Sequence, residues 1–208
     1  MIYWLLVAPI VGILSALGAV VAEQLLAVAV SIFFQKEIIL DAYKHLNFFL
    51  IAAAVIEEIF KYFAAAHILQ KIFNLRKLQL IFASTAVGLF FGLTEIYFIL
   101  LANGRRIEDF QALGNQTLFS LAIVIVLHAL TALTIGSLLA AQAPIAKFKL
   151  FTVLIPPTLI HLLINFLIIR GGASMDWLIV AMLGATFVAN IAFIAYNFRR
   201  LAWPHNFN

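Results

Sequence analysis

Six stretches of about 20 mostly apolar residues run through this chain, each long enough to cross a bilayer core as a helix. They are Ile2–Val21, Leu46–Leu69, Leu78–Leu101, Leu118–Ala140, Leu150–Ile169 and Trp177–Tyr196. The alternating strands of a membrane barrel are only about ten residues long, so strands do not account for these runs. In lipid, a spanning segment must satisfy its own backbone polar groups, which selects the helix. The predicted fold is therefore all-α, a polytopic membrane bundle of about six transmembrane helices in a single integral-membrane domain over residues 1–208. Composition agrees: 65% of the residues are hydrophobic and 11% charged, against roughly half and a quarter in soluble domains. The short apolar segment Leu25–Phe34 follows Glu23–Gln24 and is open to three readings: an extension of the first helix, an interfacial segment or a re-entrant one.

The net charge of +4 is small and spread over short loops, so it reads as a topology signal and not as a nucleic-acid footprint. Lys71, Arg76, Lys77, Lys147, Lys149, Arg199 and Arg200 fall on the side of both termini; Lys36, Lys44, Arg105, Arg106 and Arg170 fall opposite. The bias places both termini in the cytoplasm. Glu37, Asp41, Glu108, Asp109 and Asp176 lie on the poorer side, but acids weigh little in this rule. Tyr3, Trp4 and Trp177 sit at span ends, as interfacial aromatics do. The start of the chain lacks a basic n-region, so Met1–Ala22 reads as a retained helix and not as a cleaved signal. With no cysteine, thiol catalysis and thiolate metal sites are excluded.

Within the apolar runs stand groups that lipid disfavours. A charge at the bilayer centre costs roughly 2.5–3.5 kcal/mol on insertion scales. Yet the second run carries Glu57, Glu58 and Lys61, the third Glu95, the fourth His128 and the fifth His161 and Asn165. Glu57 and Lys61 share a helix face at i, i+4, Glu58 and Lys61 at i, i+3, and His161 and Asn165 at i, i+4. Counted from the ends opposite the termini, the groups lie at overlapping depths of roughly 9–18 Å. Each has a bland reading: an internal ion pair, a snorkelling glutamate, a hydrogen-bonded packing histidine. Their number and common depth favour one wet pocket. His45 and His67 lie near span ends and read as interfacial, and His205 takes no role. Gly88 and Gly92 form a GxxxG that permits close helix approach. Pro156–Pro157 fall about one turn before His161, where a kink would open the pocket.

Carboxylates paired with imidazoles in a dry pocket suit hydrolysis of an amide by an activated water. One form needs no cofactor and is preferred here. Another places a divalent metal such as zinc among His128, His161 and Glu58. The chain has no HExxH, no GxSxG and no aspartate within the runs, which excludes zincin-like, serine and aspartyl designs. A different class, a proton-coupled transporter or channel component with a Glu/His relay, lacks the repeats and paired broken helices of many carriers.

Glu57-Glu58-x-x-Lys61, Phe91-x-x-x-Glu95, His128 with Thr131 and Gly136 following, and His161-x-x-x-Asn165 resemble, in this order, the motifs of the PrsW intramembrane proteases. The resemblance covers about residues 50–170. It implies a glutamic-type peptidase of the CAAX protease and bacteriocin-processing superfamily, in a bacterial inner membrane. Its substrate would be a single-pass membrane protein, an anti-sigma factor in the founding case, cut near its outer face. By the same resemblance Glu57, Glu58, Glu95, His128 and His161 are catalytic, with Lys61, Thr131 and Asn165 supporting. CAAX endopeptidases carry EExxxR and FxxxH where this chain has EExxK and FxxxE, so a prenylated substrate is not implied.

Overall fold

The computed structural model of the chain describes residues 3–34, 46–102, 114–141 and 149–202. All of its regular structure is helical, and no strand occurs among the described residues. The helices are α1 (Trp4–Phe34), α2 (Leu46–Phe63), α3 (Lys77–Ala102), α4 (Asn115–Ala141), α5 (Lys149–Arg170) and α6 (Ala173–Ala202). Helix α2 continues as a π-helical segment over Ala64–Ile72. That segment stops where Asn74 takes a left-handed backbone, φ 49°, a conformation asparagine tolerates better than most residues. Five helices are long and apolar enough to cross a membrane; α2, which carries Glu57, Glu58 and Lys61, is outside those five. The expected charges at Lys36, Glu37, Asp41, Lys44, Arg105, Arg106, Glu108, Asp109 and Lys147 lie outside the described residues, as do His45 and His205 and the side chains of Lys149, Arg199 and Arg200.

The first helix resolves the question of Leu25–Phe34. It runs unbroken for 31 residues, about 46 Å at 1.5 Å per residue, longer than a hydrocarbon core of about 30 Å. Glu23 is thus part of a membrane-length helix and does not flank one. Pro156 and Pro157 do not end α5, which stays helical from Lys149 to Arg170.

Helices α3 and α4 share the most extensive interface. Helix α1 lies along α3 and also reaches α2; α5 packs on α4 and α2; α6 rests outside on α4 and α5. Leu69, Leu80, Ile135 and Leu139 fill the core near the end that bears Trp4. Leu6, Leu14, Phe82, Leu163, Trp177 and Val188 are exposed apolar residues, the surface expected where lipid is the solvent. Between α4 and α6 the Asn190 amide donates to Thr134 Oγ1 at 2.9 Å.

The GxxxG of α3 sets the distance between α3 and α4. A Cβ at Gly88 would overlap the backbone carbonyl oxygen of His128, and one at Gly92 would come within 3.0 Å of Ile125 Cα. Both glycines therefore press α4 against α3 at the turn that presents His128. Gly88→Ala is expected to cost roughly 1–3 kcal/mol through overpacking, read as a lowered thermal midpoint in detergent. Gly184→Ala is the control, because a Cβ there meets nothing within 4 Å; equal midpoints for the two variants would contradict this packing.

Candidate hydrolytic centre

Four helices bring the intramembrane polar residues together. Glu57, Glu58 and Lys61 come from the last turns of α2 before its π-helical segment, Glu95 from α3, His128 and Thr131 from α4 and His161 from α5. Helix α2 turns its charges inward because its other faces meet α1 and the outer surface, where Val55 and Ile59 are exposed. The result is a cluster with Glu58 and Lys61 fully buried, His128 and His161 nearly so, and Glu57 at a tenth exposed.

The cluster has an outer layer of paired groups. Glu58 Oε1 accepts from Lys61 Nζ at 2.6 Å and lies 2.7 Å from His161 Nδ1. Lys61 also donates to Thr131 Oγ1 at 3.1 Å and sits 4.9 Å above the Phe91 ring. Thr131 in turn donates to the carbonyl of His128 at 3.3 Å. On the opposite side His128 Nε2 contacts Glu95 Oε2. The i, i+3 partner of Lys61 is thus the one realised, and Thr131 joins the same hydrogen-bonded chain.

The inner layer consists of what remains. A carboxylate only accepts, so His161 presents its Nδ1 proton to Glu58 and His128 its Nε2 proton to Glu95. This leaves His128 Nδ1 and His161 Nε2 as lone pairs. They lie 3.8 Å and 3.5 Å from Glu57 Oε2. Glu57 Oε2 and His128 Nδ1 are buried without a hydrogen-bond partner. Three acceptors thus face one another with no donor between them.

That arrangement fits a metal ion on two counts. The ligand atoms of Glu57, His128 and His161 lie within 4.8 Å of one another, and tetrahedral ligands about 2.1 Å from zinc stand roughly 3.4 Å apart. Each imidazole is also backed by a carboxylate on its other nitrogen, the usual outer support of a metal-bound histidine. The sequence expectation placed Glu58 with His128 and His161; here Glu58 Oε1 is taken by Lys61 and His161 while its Oε2 is buried without a partner, and the three-residue group within ligand distance contains Glu57. Asn165 is half-buried on α5, and no hydrogen bond joins it to the cluster among the described residues. His67 stacks on Phe63 at 4.7 Å, away from the cluster.

Glu23 is the residue the sequence pattern did not single out. It sits on the α1 face that follows Ala16 and Ala19, both packed with Phe91, and its charge is within reach of those of Glu57 and Glu95. The signal was a carboxylate inside an apolar run longer than one membrane crossing. No protein-family model, curated protein or solved structure matches the chain.

Proposed function

We propose that the cluster is the active centre of an intramembrane endopeptidase that hydrolyses a peptide bond in a membrane-anchored protein. The observation that carries this reading is the meeting of Glu57 Oε2, His128 Nδ1 and His161 Nε2, three buried acceptors from separate helices with no donor among them. A polar molecule or cation held at that point finds ready-made partners and little competing water. Around it three carboxylates face one ammonium, a balance that favours a positively charged occupant.

In this reading the attacking water sits among the three inner atoms and donates one hydrogen bond to Glu57 Oε2 and the other to an imidazole lone pair. Its oxygen adds to the scissile carbonyl carbon and the carbon–nitrogen bond breaks. Glu57, whose Oε2 faces that water, takes the proton the water releases and delivers it to the departing amine, while Glu95 holds the Nε2 proton of His128. Glu58 and Lys61 keep the His161 ring oriented throughout. A divalent cation such as zinc among the inner atoms would supply Lewis-acid polarisation and a more acidic water. The order of motifs resembling the PrsW proteases supports the same reaction class, a bacterial inner-membrane setting with cytoplasmic termini, and a single-pass substrate such as an anti-sigma factor.

The test is reconstitution of the purified protein in nanodiscs with a set of fluorogenic single-span peptides and candidate anti-sigma factors. Cleavage is expected, and His161→Ala should remove it. Loss of cleavage with a chelator and recovery with zinc would assign the metal-assisted form; indifference would assign the reaction to carboxylate and imidazole alone. Absence of hydrolysis across the whole set would overturn the proposal.

A further inference from the structure

Among the described residues helix α1 contributes no group to the centre itself, yet it carries Glu23, a carboxylate whose charge is within reach of Glu57 and Glu95. Successive contacts show that α1 and α3 run in the same direction. A Cβ on Gly12 would meet Val87 and Phe90, and Ala16 and Ala19 pack with Phe91, Ile56 and Phe60. Continuing that register by one turn sets Glu23 level with Glu95. Glu23 is partly buried, and among the described residues no cation pairs with it.

The centre is most accessible on this side. Glu95 is 29% exposed, while Glu57 stands at 10% and the two histidines at 1% and 2%. Among residues 20–33 helix α1 has no fully buried residue, so this part of it does not seal against the described bundle. Ala22, Leu26 and Ala27 are partly covered beside Glu23, and Leu25 and Val28 are exposed. The outcome is an apolar wall with carboxylates at its inner edge, leading to the unpartnered and nine-tenths buried Glu57 oxygen.

We infer that Glu23 is a specificity-determining residue which, with Glu95, receives a lysine or arginine of a single-span membrane segment docked along the second half of α1. The inference rests on the hydrolytic reading of the cluster for its biological meaning. Its physical basis is charge complementarity at a site of low dielectric. Glu95 lies seven residues from the end of α3 at Ala102, a depth of about 10 Å. A basic residue in the last turns of a substrate helix can set its charged group at Glu23 with its alkyl stem against Ala22 and Leu26. Neutral residues at the same place leave the carboxylate unmatched, and acidic ones add repulsion.

Binding tests this without requiring turnover. The probes are single-span peptides of about 20 apolar residues ending in lysine, glutamine or glutamate, titrated by fluorescence onto the full-length protein in nanodiscs. The lysine peptide is expected to bind about tenfold more tightly than the glutamine peptide. Glu23→Gln should bring the two affinities within about twofold, Glu23→Asp should restore the preference, and Glu23→Lys should invert it toward the glutamate peptide. Equal affinities in the unaltered protein, a preference that survives Glu23→Gln, or no binding of any probe would each overturn the inference. Discrimination without hydrolysis of any peptide would instead retain this docking role and discard the peptidase reading.

Discussion

Glu57→Gln is expected to abolish hydrolysis while making the protein more stable. The substitution keeps the size and shape of the side chain but removes the negative oxygen that faces His128 Nδ1 and His161 Nε2. General acid–base and electrostatic contributions are worth about 10²–10⁴-fold each, so a fall of about three orders of magnitude in rate is expected. The same oxygen is buried and has no hydrogen-bond partner, which costs roughly 1–3 kcal/mol in the folded state. An amide nitrogen in its place donates toward an imidazole lone pair and relieves that cost. Rate measured on a cleaved peptide, together with a thermal midpoint in nanodiscs, checks both signs at once. A variant that loses activity and stability together would mark Glu57 as a packing residue.

Lys61→Met should give the opposite balance in the scaffold. Lys61 is buried and donates to both Glu58 and Thr131, so its removal leaves a buried carboxylate with one donor fewer. Breaking one side of such a pair typically costs roughly 3–5 kcal/mol. The loss should appear as a large drop in thermal midpoint and as weaker retention of the His161 orientation, hence lower activity. Adding Glu58→Gln to Lys61→Met removes the stranded charge and should recover a substantial part of the stability, because a buried ion pair as a whole contributes far less than either half left alone. Failure of the second substitution to recover stability would mean that Lys61 acts mainly through its packing on Phe91.

The helical class was legible from run length, because lipid leaves the backbone few other ways to satisfy itself. The membership of the cluster was legible for a related reason: Glu57, Glu95, His128 and His161 are too costly in hydrocarbon to stand apart. The division of labour within the cluster was not. Glu57 and Glu58 are neighbours in sequence and differ by about 100° around the helix, so which one meets Lys61 depends on the rotation of α2, a property of packing against α1 and α5. The same rotation makes Glu57 the inner oxygen and Glu58 the support for His161. Asn165 shows the limit of the i, i+4 argument, since sharing a face with His161 did not bring it into the hydrogen-bonded set. The GxxxG of α3 is common in membrane helices, and only the overlap at Gly88 with the His128 carbonyl ties it to the centre. Glu23 is not marked by run length, because Glu23–Gln24 interrupts the apolar sequence before Leu25–Phe34, whereas α1 is continuous to Phe34.

The central claim is that Glu57, His128 and His161 face a single point and act on the same occupant. Equilibrium dialysis of the purified protein against cobalt(II), followed by the ligand-field absorption of the bound ion, tests it most directly. One ion per chain in a low-symmetry, four- or five-coordinate environment is predicted, lost in each of Glu57→Gln, His128→Ala and His161→Ala and retained in Glu23→Gln. Binding that survives all three substitutions, or that is lost in only one of them, would contradict the account.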